Sequence, residues 1–258
     1  MKIIKSILLL SVILVTIASF QNQPVTLFMI GDSTMANKNI SGEMADNQER
    51  GWGQMLQQFF DSTKVVVDNH AVNGRSSKSF IDEGRWDVVL QRMKQGDYLI
   101  IQFGHNDEKT KIDRHTEPGT TFDANLKRFI KEARDKGVTP ILMNSIVRRK
   151  FAADTLIDTH GEYVVAPRKV AKETRCLFVD ATKLTHDYIQ PMGSEDSKKL
   201  FCWLPEGKYK SAPKGRQDDT HLNIYGATEI ASLLIQDVAR QDKTLSKALL
   251  MAGSNNPK

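Results

Sequence analysis

Two stretches of the sequence, VTLFMIGDST at residues 25–34 and YLIIQFGHND at residues 98–107, share one pattern. In each stretch a short apolar run without polar alternation ends near a glycine, and polar residues follow directly. Runs of this kind are typical of strands buried on both faces of a parallel sheet. Because ligands bind at the carboxyl ends of the strands in open parallel α/β sheets, we expect the functional residues to follow the strands.

Beyond residue 22 the chain alternates between short apolar runs and longer amphipathic stretches. This alternation predicts an α/β fold of βαβ units, whose right-handed crossovers place helices on both sides of a parallel sheet. No long linker and no internal repeat interrupts the pattern, so we expect one domain over residues 21–258. The segment Lys199–Gln217 has no clear periodicity, and a long loop in a compact domain is usually functional or mobile. The predicted strands are Val25–Ile30, Val65–Val67, Tyr98–Phe103, Pro140–Asn144 and Leu177–Asp180, and the predicted helices are Gly53–Phe60, Trp86–Met93, Phe122–Lys136, Pro167–Thr174 and Ile224–Arg240.

Residues 1–20 have the three-part layout of a secretory signal. Lys2 and Lys5 provide a basic start, an apolar run of about a dozen residues follows, and small residues precede a polar segment. The run is short for a membrane span, which needs ~20 apolar residues. We therefore expect cleavage between residues 18 and 22 and a secreted or periplasmic protein without a stable membrane anchor. An uncleaved anchor helix is the alternative.

Composition excludes several classes of protein. Apolar residues make up 40% and charged residues 26% of the chain, which is ordinary for a globular protein and excludes a disordered one. Without the first 20 residues the chain has 34 basic and 31 acidic residues. This mild charge argues against nucleic-acid binding, although it is compatible with an acidic polymer. The two cysteines, Cys176 and Cys202, are too few for a disulfide scaffold, and the sequence leaves open whether they pair.

Four segments of the chain carry the groups that an acyl transfer needs. Ser33 follows the first predicted strand, and a serine hydroxyl is a good nucleophile only when a base takes its proton. His221 is the natural base, because imidazole titrates near neutral pH. Asp218 can fix the tautomer of that imidazole and stabilise its cation. The backbone N–H groups of Ser33 and Gly74 and the side-chain amide of Asn106 are candidate donors to an oxyanion.

Each of these segments also has an ordinary structural interpretation. Gly31-Asp32-Ser33 is a common turn sequence, and Gly104–Asp107 could be a strand exit. Asp218 and His221 could cap a helix or bind a metal, but the sequence offers no clear third ligand. It also contains no Gly-x-Ser-x-Gly elbow and no glycine-rich phosphate loop, which argues against an α/β-hydrolase fold and a nucleotide site. The joint order of the four segments favours catalysis.

The four segments resemble the conserved blocks of the SGNH (GDSL) hydrolase superfamily, which carry Ser, Gly, Asn and His. The sequence is similar, more narrowly, to the rhamnogalacturonan acetylesterase group over about residues 25–240. The resemblance implies a three-layer αβα fold with a five-stranded parallel sheet, of the flavodoxin-like type. It also implies a serine esterase that removes acetyl groups from pectin-type polysaccharide through an acetyl-enzyme, without a cofactor or metal. The matching stretches are Gly31-Asp32-Ser33, Gly104–Asp107, Asp218–His221, Arg50–Gly53, Ala71–Phe80 and Glu83–Trp86.

The resemblance also implies a role for each matched residue. It assigns the nucleophile to Ser33 and the base to His221. The family spacing Asp-x-x-His assigns the acid to Asp218, while the rival Asp219 is expected to face solvent or cap the following helix. The oxyanion donors map onto Ser33, Gly74 and Asn106, with Asp32 as a supporting residue and Asp107 as a support of the Ser33 loop.

Three arginines are candidates for substrate binding. Arg50, Arg75 and Arg85 could bind the carboxylates of an acetylated acidic polysaccharide, because the planar guanidinium matches a carboxylate. The alternative is that they are solvated or paired on a helix. Trp52 and Trp86 could stack on sugars, but we expect them in the core.

Two other functions stay open at this point: an esterase of other acetylated glycans or small esters, and an inactive carbohydrate-binding protein.

Overall fold

The computed structural model describes residues 23–250, so the predicted signal at residues 1–20 lies outside the described residues. The strands are β1 (Val25–Gly31), β2 (Val65–Asn69), β3 (Tyr98–Gln102), β4 (Thr139–Met143), β5 (Phe151–Ala152), β6 (Thr155–Leu156), β7 (Leu177–Val179), β8 (Phe201–Leu204) and β9 (Arg216–Leu222). Five of them run parallel in the central sheet, in the order β2-β1-β3-β4-β7. Two antiparallel pairs, β5 with β6 and β8 with β9, lie outside it.

Helices connect the strands and cover both faces of the sheet. Within residues 23–250 no helix combines the length and the apolar character that a membrane span requires. The α-helices are α1 (Ser77–Asp82), α2 (Arg85–Arg92), α3 (Thr121–Asp135), α4 (Glu162–Thr174), α5 (Ala181–Ile189), α6 (Gly193–Asp196), α7 (Ile224–Gln241) and α8 (Lys243–Ala248), and the 3-10 helices are Gly42–Met44, Trp52–Phe59, Gln190–Met192 and Ser197–Leu200.

The strands bury both of their faces. In β1, Leu27 and Met29 belong to one core layer, with side chains of α5, α7, α8 and the 3-10 helix Trp52–Phe59. Phe28 and Ile30 belong to the other layer, with side chains of α1, α2, α3 and α4. Successive strand residues point to opposite faces, so this apolar run fills two layers at once. The observed three-layer αβα arrangement confirms the predicted fold, and Trp52 and Trp86 lie buried in its core as expected.

The predicted helix at Pro167–Thr174 begins five residues earlier than expected. Proline favours the first turn of a helix, which is why Pro167 indicated a start there. In the structure α4 begins at Glu162 and runs through Pro167. Because proline lacks an N–H group, one helical hydrogen bond is lost at this point. Burial of Val164 and Val170 on the core-facing side offsets that loss.

Several elements did not appear in the sequence prediction, among them α5, β8 and β9. Helix α5 follows β7 directly, and its N-cap Asp180 accepts a hydrogen bond from Lys183 N at 3.2 Å. The prediction of a loop over Lys199–Gln217 is partly wrong, because β8 and the start of β9 lie within it and pair with each other. The sequence of β9, RQDDTHL, has no apolar alternation, so only its pairing with β8 makes it a strand.

Both cysteines are free and buried. The Sγ of Cys176 donates to Pro140 O at 3.2 Å, and that of Cys202 donates to Leu222 O at 3.3 Å. Burial raises the pKa of the Cys176 thiol to about 11 and the pKa of the Cys202 thiol to about 12. Thiols of this kind are unreactive, because the thiolate is the reactive form.

The start of α7 is packed against the segment that leads into β8. Asn223 caps the helix by accepting from Gly226 N at 2.9 Å, and its amide donates to Lys199 O and Phe201 O at 2.8 Å each. A Cβ atom on Gly226 would lie 1.9 Å from Leu200 O. This position therefore requires glycine for its close approach to another backbone.

We predict that Gly226→Ala lowers the free energy of unfolding by about 2 kcal/mol, as forced packing in a tight site does. In an unobstructed helix interior the same change would raise stability by ~1 kcal/mol. Urea unfolding at constant pH measures the difference, and Gln236→Ala on the exposed side of α7 is the control, with an expected change of less than ~0.5 kcal/mol. A Gly226→Ala protein as stable as wild type would contradict the observed packing.

Candidate active site

Ser33 lies in a tight turn at the carboxyl end of β1, and a buried carboxylate holds that turn. Asp32 is fully buried, and its Oδ1 accepts from the N–H and the hydroxyl of Thr34 at 2.9 and 2.8 Å. The carbonyl of Asp32 also accepts from Met35 N and Ala36 N. Asp32 therefore fixes the backbone on both sides of Ser33, which agrees with its predicted supporting position.

Ser33, His221 and Asp218 form one hydrogen-bonded array, although Ser33 and His221 are 188 residues apart. Nε2 of His221 lies 2.9 Å from Ser33 Oγ, and Nδ1 lies 2.8 Å from Asp218 Oδ2. The other carboxylate oxygen, Asp218 Oδ1, accepts from the N–H groups of Thr220 and His221 at 2.8 Å each. The structure thus brings the three predicted catalytic residues together in the order that nucleophilic attack by serine requires.

Asp218 is held in its ionised form. Burial would raise the pKa of Asp218, but hydrogen bonds from His221 and Thr220 hold it well below its usual range. Arg216 adds a guanidinium contact to Asp218 Oδ2. A carboxylate in this position stabilises the imidazolium that forms when a histidine takes a proton.

Asp219 has different partners, so the two adjacent carboxylates are clearly separated in the structure. Its Oδ1 accepts from Arg149 Nε at 2.7 Å and from Trp203 Nε1 at 2.8 Å. The side chain of Asp219 is 47% exposed, so the expectation that it faces solvent is confirmed, whereas the alternative that it caps the following helix is wrong, since Asn223 caps α7. The two carboxylates separate because β9 is extended, which sends neighbouring side chains to opposite faces.

The candidate oxyanion donors lie on three neighbouring loops. Gly74 adopts a left-handed backbone with φ of 74°, a conformation that favours glycine. Asn106 Nδ2 donates to Arg75 O at 3.2 Å, which ties the Asn106 loop to the Gly74 loop. Among the described residues, the N–H groups of Ser33 and Gly74 have no hydrogen-bond acceptor. These groups are available to a ligand that lies beside Ser33.

Within residues 23–250 the hydrogen bonds of the Asp107 side chain go to Ser77 and Thr116 and not to the Ser33 loop, so its support of that loop stays a prediction. Its carboxyl group accepts from Ser77 N at 3.0 Å, from Ser77 Oγ at 2.5 Å and from Thr116 Oγ1 at 2.9 Å. Burial raises the pKa of Asp107 to about 7. Through these bonds Asp107 fixes the start of α1, which follows Gly74, and therefore acts on the loop that carries this candidate donor.

His105 is a buried neighbour of Asp32. Its Nδ1 lies 3.4 Å from Asp32 Oδ2, and its ring meets that of His160 edge to face at 4.5 Å. Burial lowers the pKa of His105 to about 4, against the attraction of Asp32. Burial alone would raise the pKa of Asp32, but His105 and the Thr34 donors lower it to about 2. Above pH 4 this pair consists of a neutral imidazole beside a carboxylate.

The three predicted substrate arginines already have partners in the protein. Arg75 and Arg85 both bind Glu83 through their Nε atoms. Arg50 Nη1 donates to the carbonyls of Asn47 and Glu49 at 2.7 Å each. Their binding of a substrate carboxylate stays a prediction, and such a carboxylate would have to compete with these contacts.

Several charged residues close to the array did not stand out in the sequence. Arg216 lies two residues before Asp218, and this spacing in a strand places both on one face. Lys38 and Glu49 lie near the quoted blocks but carry no motif of their own. Arg148 and Arg149 follow β4, so the rule that functional residues follow parallel strands could have found them. Within residues 23–250 no cluster of three or more His, Cys, Asp or Glu residues is arranged to hold a metal ion.

Known proteins resemble this chain in sequence and fold. Residues 29–227 match the GDSL-like lipase/acylhydrolase family, which confirms the resemblance carried by the four sequence blocks. The chain is 38% identical over 218 residues to the rhamnogalacturonan acetylesterase RhgT of Bacillus subtilis, covering 84% of this chain and 90% of RhgT. It is 30% identical over 225 residues to the "Probable rhamnogalacturonan acetylesterase YesY" of the same species, with coverages of 87% and 97%.

A solved structure supports the same fold. The crystal structure of YxiM from Bacillus subtilis superposes with a TM-score of 0.71 at 26% identity. The superposition covers 85% of this chain and 57% of that chain, so this chain spans little more than half of YxiM's length. The sheet and helices that position Ser33 and His221 therefore belong to a recurrent architecture.

We predict that His105 makes the folded state less stable as the pH falls from 6.5 to 4. Its pKa is lower in the folded than in the unfolded chain, so the unfolded chain binds the extra proton first and is favoured by acid. Between pH 7 and pH 5 the wild-type protein should lose about 2 kcal/mol more free energy of unfolding than His105→Gln. This figure follows from the lowering of the His105 pKa from its ordinary value to about 4.

Urea unfolding at pH 7 and pH 5 tests this pH dependence. His186→Gln changes a partly exposed histidine on α5 and serves as the matched control. Between pH 7 and pH 5 its free energy of unfolding should change by the same amount as that of wild type. Equal pH dependence in wild type and His105→Gln would show that His105 is not a buried neutral group.

Proposed function

The chain belongs to the GDSL-like lipase/acylhydrolase family, and on this premise we propose that it is a serine esterase that removes acetyl groups from rhamnogalacturonan, a pectin-type polysaccharide. The observation that carries the proposal is the array of Ser33, His221 and Asp218, with Ser33 Oγ at 2.9 Å from the imidazole. The relatives RhgT and YesY are both named for this activity, and RhgT covers most of the chain. The site and the relatives thus support the same chemistry.

In the proposed mechanism Ser33 Oγ attacks the carbonyl carbon of an acetyl ester. His221 Nε2 takes the serine proton as the new C–O bond forms, and Asp218 stabilises the resulting imidazolium. The tetrahedral intermediate then loses the sugar alcohol, which receives the proton from His221, and leaves an acetyl group on Ser33. A water molecule, activated by the same imidazole, attacks the acetyl-enzyme and releases acetate, and the proton returns to Ser33.

The negative oxygen of each tetrahedral intermediate needs donors that are already in place. In the proposal the N–H groups of Ser33 and Gly74 and the amide of Asn106 supply them. Preorganised donors of this kind lower the barrier by about 3–4 kcal/mol each. The hydrogen bond from Asn106 to Arg75 O supports this arrangement, because it holds the amide against the loop that carries Gly74.

The surroundings of Gly74 support an acidic substrate. A Cβ atom on Gly74 would lie 3.7 Å from Arg114 Nη1, so a guanidinium group borders the proposed oxyanion site. The side chain of Arg114 is 29% exposed, and Arg75 and Arg85 lie near the same loop with Glu83 between them. Galacturonate carboxylates of a pectin-type chain are suitable partners for such a surface.

Export of the enzyme belongs to the same proposal. The basic and apolar layout of residues 1–20 supports a cleaved signal and a secreted or periplasmic protein. Pectin-type polymers are too large to enter a cell intact, so a polymer-deacetylating enzyme has to meet them outside the cytoplasm. N-terminal sequencing of the exported protein tests this, and a first residue between 19 and 22 is expected.

Acetate release from acetylated polymers tests the proposed substrate. The purified mature protein is compared on acetylated rhamnogalacturonan oligosaccharides and on acetylated xylan of equal acetate content, with Ser33→Ala as the matched control. We expect kcat/KM at least about 10-fold higher on rhamnogalacturonan, and no release by Ser33→Ala. A preference for xylan would overturn the pectin assignment but not the esterase. A folded wild-type protein without activity on any ester would favour a carbohydrate-binding protein instead.

We predict that Asn106→Ala lowers kcat by roughly 10²–10³-fold with little change in KM, as expected when one oxyanion donor is lost. Hydrolysis of p-nitrophenyl acetate measures both constants. Asn125→Ala removes an amide of the same type that bonds Ser77 Oγ on the α1 side, and we expect a much smaller change in kcat. An effect of Asn106→Ala confined to KM would instead make Asn106 a substrate-binding residue.

We predict that Asp218→Asn lowers kcat by roughly 10³–10⁴-fold, because the amide favours the wrong histidine tautomer. Asp219→Asn is the matched control on the neighbouring residue, and it should change the rate by a few-fold at most. Its remaining Oδ1 can still accept from Arg149 and Trp203. Both variants are compared near pH 8, and a greater loss in Asp219→Asn would contradict the assignment of the acid.

A further inference from the structure

A series of ion pairs, buried at Lys38 and 32% exposed at Arg216, connects the Ser33 loop with Asp218. Lys38 Nζ lies 2.8 Å from Glu49 Oε1, and Glu49 Oε2 accepts from Arg216 Nη1 at 2.5 Å. Arg216 Nη2 in turn donates to Asp218 Oδ2. The charges alternate along the series, from ammonium to carboxylate to guanidinium to carboxylate. Both ends of this series of ion pairs lie at the catalytic array, Lys38 at the Ser33 loop and Asp218 at His221.

The ammonium group of Lys38 contacts both loops that supply backbone oxyanion donors. Besides Glu49, its Nζ donates to Ser33 O at 2.7 Å and to Asn73 Oδ1 at 2.6 Å. An ammonium group has three N–H donors, so these three contacts satisfy it completely. Only 4% of the Lys38 side chain is exposed. One buried cation therefore fixes the positions of Ser33 and of the residue before Gly74.

A contribution to the stability of the fold does not by itself account for this series of ion pairs. Taking charges out of water costs several kcal/mol for each ion, and apolar residues of similar size often stabilise a fold as well or better. The side chain of Glu49 is only 15% exposed and that of Asp218 only 17%. The two ends of the series meet reacting groups, so the catalytic array is the place where these charges act.

Arg216 also lies beside the imidazole that takes the proton. Its Nη2 is 3.3 Å from His221 Nδ1, on the same side as Asp218. Arg216 and Asp218 reach the imidazole from β9, whereas Glu49 acts on it from the loop before the 3-10 helix Trp52–Phe59. Lys38 lies behind Glu49. A cation at this distance opposes protonation of an imidazole, whereas the carboxylates of Asp218 and Glu49 favour it.

We propose that Arg216 is a positioning residue of the reaction: Glu49 and Lys38 hold its guanidinium in place, it holds Asp218 against His221, and it places a positive charge 3.3 Å from Nδ1 of that base. This inference rests on the proposed esterase function. It explains why the triad acid has a guanidinium partner that also borders the base. It further predicts that the charges of Arg216 and Glu49 act on the base in opposite directions.

The test is the pH profile of kcat/KM for p-nitrophenyl acetate in wild type, Arg216→Gln and Glu49→Gln. In Arg216→Gln the acid limb should move to higher pH by roughly one unit, because a cation beside the imidazole is lost. In Glu49→Gln it should move to lower pH, because an anion is lost. If the substitutions only loosened the site, kcat would fall in both variants, and their acid limbs would not move in opposite directions. That result would contradict the proposal.

Two further variants separate charge from geometry. Arg216→Lys keeps the charge but loses the planar fork, so it should keep the wild-type acid limb and lower kcat. Arg240→Gln removes an exposed arginine that pairs with Asp237 on α7, and neither kcat nor the limb should change. An acid limb in Arg216→Gln equal to that of wild type, in a protein with wild-type circular dichroism, would overturn the inference.

NMR titration of the His221 imidazole provides a readout without catalysis. The midpoint should be higher in Arg216→Gln and lower in Glu49→Gln than in wild type, by the same shifts as in the kinetic profile. If wild type hydrolyses no ester, the proposed function fails, while this titration still decides the electrostatic role of Arg216. If wild type is active and the midpoints of both variants equal that of wild type, the role of Arg216 is wrong and the esterase stands.

Discussion

β1 lies between β2 and β3, and this parallel pairing decides where the reactive groups of the site meet. The backbone continues the pairing beyond the strands, because His70 N donates to Met29 O and Val72 N donates to Gly31 O. The loop after β1 carries Ser33, and the loops after its two neighbours carry Gly74 and Asn106. Strands that run in the same direction end at the same edge of the sheet. The proposed nucleophile and the candidate oxyanion donors are therefore neighbours as a consequence of strand order.

The imidazole comes to this edge by a different route. His221 belongs to β9, which is outside the central sheet and pairs with β8. The segment is fixed by a hydrogen bond from Arg50 N to Leu222 O at 3.0 Å and by the contact of Asp219 with Arg149. Asn223 then begins α7, which packs on the central sheet. The base is thus held by loops and a hairpin, and its position depends on polar contacts more than on a core strand.

Charge is distributed unevenly in this site. The carboxylates of Asp32 and Asp218 are surrounded by donors and stay ionised, whereas burial raises the pKa of Asp107 to about 7. Each of the three fixes a different loop of the site through N–H and O–H donors. The same polar contacts that would cost stability if unpaired hold the catalytic loops in one conformation. This explains why so many titratable groups are buried near the carboxyl edge of the sheet.

Sequence and tertiary structure contributed different parts of this picture. The apolar runs at residues 25–31 and 98–103 predict buried parallel strands, since burial on both faces leaves no polar alternation. The polar blocks after them predict Ser33 and Asn106 at one edge. These inferences need only local pattern and the geometry of parallel sheets. The resemblance to a known family added the choice of Asp218 over Asp219 as the partner of His221.

Contacts between distant segments could be seen only in the folded chain. β9 has no strand pattern of its own, and its pairing with β8 separates Asp218 from Asp219. The ion pairs of Lys38, Glu49 and Arg216 join residues up to 167 positions apart. No local sequence pattern predicts such pairs. Sequence alone thus determined the sheet and the candidate reacting groups, because strand patterns and catalytic motifs are local. Tertiary structure decided which charges surround those groups, because a charged side chain acts through space on whatever the fold places beside it.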